Sequence, residues 1–284
     1  MPTVDEYFKS ITARLASVLG SEGGAAAARI IFEDVAGYDR KFIFMNGSRT
    51  MTDFMVDRID GAVKQVEAGE PVQYAVGKAR FLGMDFTVNS SVLIPRPETE
   101  GLVDIITSAY AGKNDLRVLD IGTGSGCIAI SLARALPFSR VTAFDISDKA
   151  LETAKENAKA AGVAVDFREC DILKAAPVAG AYDIIVSNPP YVCRSEAADM
   201  DQRVLSYEPS TALFVPDDDP LIFYKAIARY ARKSLAAGGG LFFEINSRFP
   251  EEMRRLLEDE GFTDVDVTRD FKGNYRFATA RQPE

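Results

Sequence analysis

From Leu116 to the end of the chain, apolar runs typical of strands alternate with runs typical of helices. This alternation constrains the fold more than any other feature of the sequence. Strands are predicted at 117–122, 141–146, 164–170, 182–188 and 240–246, with two closing strands in TDVDVTRDF and YRFATAR. Helices are predicted at 125–136, 148–161, 220–236 and 251–261. The sequence therefore predicts an α/β fold, in which a mostly parallel seven-stranded sheet carries helices on both faces.

The first part of the chain has a different texture. Apolar residues recur at three- and four-residue spacing over 4–19, and further helical stretches cover about 25–36 and 52–68. Residues 72–94 are rich in β-branched and aromatic residues broken by glycine, which is typical of a hairpin. We therefore predict a helical domain at 1–70, a linker hairpin at 71–94 and an α/β domain at 95–284.

Composition excludes several kinds of chemistry. The 284 residues include no histidine, which removes His-based triads and most zinc sites, so no metal is expected. The three scattered cysteines favour a reducing cytoplasm over a disulfide framework. The start of the chain lacks a signal-peptide pattern, and the apolar runs are too short to span a membrane. A formal net charge of −9 disfavours a nucleic-acid partner.

The first strand of the alternating region runs into a loop with three glycines, which let the backbone turn sharply and let a ligand approach it. The spacing is DxGxGxG, whereas the dinucleotide fingerprint GxGxxG would need glycine at Cys127. DxGxGxG is the pattern of proteins that bind S-adenosylmethionine. The candidate cofactor-binding residues here are Asp120, Gly122, Thr123, Gly124, Ser125 and Gly126.

Acidic residues end the next two predicted strands, near the same edge of the sheet. Asp145, followed by Ile146, lies about twenty residues past the glycines, where an acid accepts hydrogen bonds from ribose hydroxyls. Asp171 is placed to receive an adenine amino group while Ile172 or Leu173 packs on the ring. The simpler alternative for Asp145 is a helix cap, and Asp171 alone is equally compatible with a structural role.

A further predicted strand ends in SNPPY, residues 187–191. Pro189 and Pro190 have no N–H and do not continue a sheet ladder. The Asn188 side-chain carbonyl and the Pro189 main-chain carbonyl are two acceptors that suit an NH₂ group, and Tyr191 offers a ring face to a planar group. These four residues are the candidate catalytic and substrate-binding set, and they predict methylation of a planar, weakly nucleophilic nitrogen. Asn188 is also a candidate cofactor-binding residue.

The segment IPRPETE, residues 94–100, contains two X-Pro steps that favour an extended, rigid chain. We expect Arg96, Glu98 and Thr99 to shape a substrate channel. The alternative is a plain linker that ends at the start of the next helix.

Together, DxGxGxG, NPPY and IPRPETE resemble the release-factor glutamine N5-methyltransferase family, the HemK/PrmC family of class I S-adenosylmethionine-dependent methyltransferases. Further matching features are Pro71 to Tyr74, the YEP segment at 207–209, and Asp270 with Gly273 and Arg276. The resemblance implies a class I methyltransferase fold and S-adenosylmethionine as donor. It also implies that the substrate is the glutamine of the Gly-Gly-Gln motif in peptide-chain release factors, docked with help from the helical domain.

The sequence departs from the family pattern at PDDDP (216–220), at Glu244-Ile245-Asn246, and at Ile172, where an aromatic residue is common. An N6-adenine methyltransferase acting on DNA or RNA shares the cleft motifs and stays the main alternative. A regulatory protein that binds the donor without catalysis would not need NPPY. An NAD enzyme does not fit the glycine spacing.

Overall fold

The computed structural model describes all 284 residues, which form two compact units. The helical unit comprises Met1–Lys78 together with Asp201–Tyr207, and the sheet unit comprises Ala79–Met200 and Glu208–Glu284. The functional boundaries predicted at residues 70 and 94, between a docking domain, a linker and a catalytic domain, stay predictions.

The helical unit contains five helices, of which the first four surround a core of aliphatic and aromatic side chains. They are α1 (Val4–Ala36), α2 (Arg40–Asn46), α3 (Asp53–Glu67), α4 (Val72–Val76) and, from the later segment, α8 (Gln202–Tyr207). The hydroxyl of Tyr207 donates a hydrogen bond to the Ala68 carbonyl at 3.0 Å, which joins that later segment to the end of α3. Helix α2 falls in a stretch for which the sequence predicted no element.

Helix α1 consists of two helices that meet at Gly20. This residue has φ 74° and ψ 168°, so the helical hydrogen-bond ladder breaks there, close to the predicted end at residue 19. Gly24 packs against the first half, because a Cβ on it would lie 2.4 Å from the backbone nitrogen of Ala16. By length and composition alone, Val4–Ala36 is apolar enough to cross a membrane. The break at Gly20 and the burial of Ile11, Leu15 and Ile31 fit a pair of core helices instead.

The strand character predicted from residue 72 onward was wrong over its first five residues. Val72–Val76 forms the short helix α4, whose Val72, Ala75 and Val76 pack against the core of the helical unit and whose end is set by Gly77 at φ 72°. The hairpin is shorter than predicted, with β1 (Lys78–Phe81) and β2 (Met84–Thr87). Here packing overrides the β propensity of Val72, Tyr74 and Val76.

The sheet unit contains the predicted seven-stranded sheet, in the order β10-β11-β9-β6-β3-β4-β5. The strands are β3 (Arg117–Ile121), β4 (Arg140–Asp145), β5 (Val165–Glu169), β6 (Tyr182–Ser187), β9 (Leu235–Glu244), β10 (Thr263–Arg269) and β11 (Tyr275–Arg281). Every neighbouring pair is parallel except those of β11, which runs antiparallel to both β9 and β10. The α/β prediction with a mostly parallel sheet is therefore confirmed.

Helices cover both faces of this sheet and enclose two apolar cores. Helices α5 (Pro97–Ala109), α6 (Cys127–Ala135) and α7 (Asp148–Ala161) contribute to one core, and α9 (Ile222–Ser234) and α10 (Pro250–Asp259) contribute to the other. A further two-stranded sheet, β7 (Val192–Cys193) with β8 (Phe214–Val215), lies in the stretch after NPPY. The sequence did not predict these two short strands.

The strand order reverses at β3, because the chain proceeds from β3 to β4 and β5 on one side and to β6 and β9 on the other. Ligands of open α/β sheets bind outside the carboxyl ends of the strands at such a switch point. The glycine loop, Asp145 and NPPY follow the carboxyl ends of β3, β4 and β6 respectively. The topology thus brings residues that are far apart in the sequence to one edge of the sheet.

Candidate active site

A cavity of about 430 Å³ opens at the carboxyl ends of β3, β4, β5 and β6. Its lining includes most of the residues that the sequence singled out. These are Arg96, Thr99, Gly122, Thr123, Gly124, Ser125, Asp145, Ile146, Asp171, Ile172, Asn188, Pro189 and Pro190. Asp120, Gly126, Glu98 and Tyr191 lie outside this lining.

The glycine loop presents bare backbone. Gly122 has φ 75° and Gly124 has φ 55°, and no atom lies within 4 Å of where a Cβ would stand at either residue. Gly126, at φ 82°, has a different role, because a Cβ there would lie 2.9 Å from Ile130 Cδ1 and 3.2 Å from Ala154 Cβ. The first two glycines therefore leave space for a ligand, whereas the third allows α6 and α7 to pack closely.

Asp120, near the end of β3, is hydrogen-bonded to the glycine loop through Thr123. It is fully buried, and its Oδ2 accepts hydrogen bonds from the Thr123 hydroxyl at 2.7 Å and from the Ala129 N–H at 3.2 Å. Its Oδ1 is buried with no hydrogen-bond partner. Burial raises the pKa of Asp120 to about 7, against the lowering effect of its two donors. Asp120 therefore connects the end of β3 to the first turn of α6.

Asp145 stands at the mouth of the cavity, at the end of β4. Its Oδ2 accepts a hydrogen bond from the Gly124 N–H and its Oδ1 accepts one from the Ser147 N–H, both at 2.9 Å. Burial raises the pKa of Asp145, while these N–H groups lower it. The N-cap of α7 is Ser147, whose own hydroxyl accepts from the Ala150 N–H. Asp145 is thus not the helix cap, and it ties the glycine loop to the end of β4.

The wall beside Asp145 is apolar. Ile146 is 61% exposed and Leu173 is 46% exposed, although both are large aliphatic residues that line the cavity. Asp171 pairs with Lys174 at 2.8 Å and accepts a hydrogen bond from the Leu173 N–H, and the Lys174 ammonium lowers its pKa. Exposed aliphatic side chains next to a carboxylate form a surface suited to a planar ring with a polar edge.

At the end of β6, the Asn188 side chain is held by one contact. Its Nδ2 donates to the Thr99 hydroxyl oxygen at 3.4 Å, a long hydrogen bond. No group of the protein donates to Asn188 Oδ1 or to the main-chain carbonyl of Pro189. The two carbonyl oxygens predicted to accept an NH₂ group are therefore both free of internal partners.

Behind Asn188 lies a carboxylate that the sequence analysis did not assign to the site. Glu244 ends β9 and is almost fully buried. Its Oε2 accepts from the Thr99 hydroxyl at 2.6 Å, and its Oε1 accepts from the Tyr191 hydroxyl at 3.1 Å. Arg276 Nη1 lies 3.4 Å from the Tyr191 oxygen. Burial raises the pKa of Tyr191 and keeps this phenol protonated as a donor.

Asn246, which follows β9, holds the chain around Tyr191 by hydrogen bonds. Asn246 Nδ2 donates to the Tyr191 carbonyl at 2.9 Å and to Glu196 Oε1 at 3.1 Å. The Asn246 Oδ1 accepts from the Arg248 N–H at 3.0 Å. Asn246, which stands where the family pattern often has glycine, therefore links the Tyr191 backbone to Glu196.

The IPRPETE segment is anchored by ion pairs. Arg96 Nη2 contacts the buried Glu208 Oε1 at 2.6 Å, and the other Glu208 oxygen accepts from the Ile94 N–H at 3.3 Å. Glu98 pairs with Lys272, and although burial raises its pKa, this ammonium brings it below its ordinary value. Glu208 belongs to the YEP segment at 207–209, and its sequence position alone does not reveal that its partner is Arg96.

Comparison with known proteins identifies the family. A family model described as "Methyltransferase small domain" matches residues 99–207, and one described as "PrmC N-terminal domain" matches residues 6–77. The release factor glutamine methyltransferase of Bacteroides thetaiotaomicron is 43% identical over 258 residues, which cover 90% of this chain and 92% of the relative. The chain belongs to the release factor glutamine methyltransferase family. The resemblance inferred from NPPY and IPRPETE is thereby confirmed.

A second family member, from Flavobacterium psychrophilum, is 39% identical over 276 residues, covering 96% of this chain and 97% of that protein. Solved structures agree on the class I methyltransferase fold. A methyltransferase from Pyrococcus furiosus has a TM-score of 0.52 at 18% identity, covering 72% of this chain and 91% of its own. A 16S rRNA methyltransferase from T. thermophilus has a TM-score of 0.53 at 20% identity, covering 72% and 49%. At these identities the likeness concerns the fold alone.

Proposed function

We propose that this protein transfers a methyl group from S-adenosylmethionine to the side-chain amide N5 of the glutamine in the Gly-Gly-Gln motif of peptide-chain release factors. The observation that carries the proposal is the pair of free acceptors, Asn188 Oδ1 and the Pro189 carbonyl, at the edge of a cavity with a bare glycine loop. Relatives that match over most of the chain bear the corresponding name.

The cavity fits the donor by its chemistry. The open space above Gly122 and Gly124 suits the amino-acid end of the donor, and we propose that Asp145, which lines the same cavity, accepts from the ribose hydroxyls. The exposed side chains of Ile146 and Leu173 suit an aromatic base. When bound, S-adenosylmethionine supplies an electrophilic methyl group on a sulfonium.

The protein's own contribution is orientation of the nucleophile. A primary amide nitrogen is weakly nucleophilic, because its lone pair is delocalised into the carbonyl. Hydrogen bonds from its two N–H groups to Asn188 Oδ1 and the Pro189 carbonyl would favour the form in which the lone pair stands out of plane. Holding reactants in a productive geometry contributes much of the rate in such reactions. The site needs no histidine base, because the nitrogen proton becomes acidic once the methyl group has transferred.

The substrate test uses methyl-labelled S-adenosylmethionine with a release factor in two forms, native and with the Gly-Gly-Gln glutamine replaced by alanine. We expect label on the native form only. Label on both forms would refute glutamine as the acceptor. Label on DNA or RNA and on neither release factor would favour the adenine alternative.

We also propose that the helical unit docks the release factor, and that the protein works in the cytoplasm with it. Phe44, Met45 and Phe54 are large apolar residues of this unit that stand exposed. Replacing Phe44 and Phe54 by alanine should raise KM for the release factor and leave the donor Kd unchanged. Phe138→Ala is the matched control, since Phe138 is equally exposed and precedes β4 at the opposite edge of the sheet from the cavity. Equal effects of the two changes would contradict a docking role.

A further inference from the structure

Glu244 connects to both ends of the NPPY motif from a position behind it. One carboxylate oxygen accepts directly from the Tyr191 hydroxyl, and the other reaches Asn188 through Thr99. Thr99 comes from the first turn of α5 and Glu244 from the end of β9, so two separate elements supply the connection. All three side chains of the relay Glu244, Thr99 and Asn188 are buried or half-buried.

The direction of these hydrogen bonds is determined by chemistry. Burial raises the pKa of Glu244, whereas the Thr99 hydroxyl, the Arg276 guanidinium and the Tyr191 hydroxyl lower it. Both carboxylate oxygens accept a hydroxyl hydrogen bond, so the Thr99 proton is directed at Glu244. The Thr99 oxygen then faces Asn188 with its lone pairs and accepts only from an N–H. If the Asn188 amide were turned over, its carbonyl would face the Thr99 oxygen, and two acceptors would oppose each other at 3.4 Å.

We propose that Glu244 is a positioning residue. Acting through Thr99, it determines whether Asn188 presents its carbonyl oxygen or its NH₂ group to the substrate. The inference rests on the proposed function, because it assumes that Asn188 must present oxygen to an NH₂ group. With the amide turned over, Asn188 would present its own NH₂ to the substrate's NH₂. The acceptor pair with Pro189 would then be lost.

The Thr99→Val variant tests the relay, because valine has nearly the volume of threonine and lacks the hydroxyl. We expect kcat for release-factor methylation to fall about tenfold, which corresponds to ~1.4 kcal/mol. The donor Kd, measured by calorimetry without release factor, should change less than about twofold. Thr99→Ser restores the hydroxyl and should recover most of kcat. Thr107→Val on the same helix is the control, since the Thr107 hydroxyl contacts only the Asp104 carbonyl.

A double-mutant cycle tests whether Glu244 acts through Thr99. Glu244→Gln replaces an acceptor-only group by one that also donates, so the Thr99 proton is no longer directed to one side. Because Glu244 also accepts from the Tyr191 hydroxyl, the cycle is run in a Tyr191→Phe background, which keeps the ring and removes that hydrogen bond. In this background we expect Glu244→Gln to lower kcat further, and to have little effect once Thr99 is valine. Effects that multiply in the double variant would overturn the relay.

A second readout does not depend on turnover. In protein labelled with ¹⁵N-asparagine, the Asn188 side-chain NH₂ signals should exchange slowly with solvent in the native protein and in Thr99→Ser, and faster in Thr99→Val. Equal exchange in all three would overturn the inference. If the native protein fails to methylate any release factor, the proposed function fails, but this exchange measurement still decides whether Thr99 orients Asn188, and repeating it on Glu244→Gln decides the same for Glu244.

Discussion

The burial of Asp120 makes a quantitative prediction about stability and pH. This carboxyl is fully buried under the glycine loop with one oxygen unpartnered, and its pKa is raised from 3.8 to about 7 by burial. In the unfolded chain it titrates near 3.8. Between these values the native state holds a proton that the unfolded state releases. Asp120's contribution to stability is therefore complete below pH 3.8 and declines as the pH rises towards about 7.

The size of the effect follows from the gap between the two pKa values. Each pKa unit corresponds to about 1.4 kcal/mol, so full ionisation of Asp120 costs the native state about 4 kcal/mol. Between about pH 5 and about pH 8 the linkage relation gives a loss of roughly 3 kcal/mol in the free energy of unfolding. Asp120→Asn keeps the shape of the side chain and removes the titration. Relative to the native protein, the variant should therefore gain roughly 3 kcal/mol over the same interval.

The assay is urea unfolding at several pH values without donor, followed by far-ultraviolet circular dichroism because the chain has no tryptophan. Asp104→Asn, on the exposed surface of α5, is the control for the loss of one negative charge. A stability difference between the native protein and Asp120→Asn that stays constant from about pH 5 to about pH 8 would refute the reasoning. It would mean that Asp120 ionises in the fold as it does in the unfolded chain.

Three further changes have defined outcomes. Arg96→Ala should lower the free energy of unfolding in urea by roughly 2 kcal/mol, because it leaves the buried Glu208 without its cation. An unchanged urea midpoint would contradict this. Gly126→Ala should cost about 2 kcal/mol in the same assay, because its Cβ would crowd Ala154 Cβ at 3.2 Å, which has no rotamer to give, as well as the movable tip of Ile130. Gly122→Ala, with open space, should cost about 1 kcal/mol. Equal costs would disprove the packing argument. Asp145→Ala should weaken donor binding about 30-fold in calorimetry, and native affinity in this variant would remove the ribose role.

Much of the sheet unit was predictable because its signals are local. Each central strand is an apolar run that ends in polar or glycine residues, and Asp120, Asp145 and Asn188 stand at those ends. The parallel arrangement then brings these ends to one edge, so the cavity follows from the topology. The glycine loop was recognisable because the close packing of Gly126 and the open backbone at Gly122 both require glycine.

The parts that were missed depend on contacts distant in sequence. Thr99 and Glu244 are 145 residues apart, and Arg96 and Glu208 are 112 apart. A single acid after an apolar strand does not indicate which hydroxyl will face it. Val72–Val76 was mispredicted for a related reason, since its composition favours a strand and its helical form depends on packing in the helical unit.

Because the segment Asp201–Tyr207 belongs to the helical unit, this unit is not a continuous piece of the chain that can be exchanged by itself. The chain passes between the two units at 78–79, 200–201 and 207–208, so three peptide bonds join them. A single proteolytic cut at 78–79 would leave each half of the chain incomplete: the first fragment would lack its last helix, and the second would carry that helix without its partners. Recombination between relatives at this point would pair a helical unit with a foreign copy of α8. The N-terminal residues and the 201–207 segment are therefore expected to be inherited and to diverge as one module, although more than a hundred residues of another unit separate them.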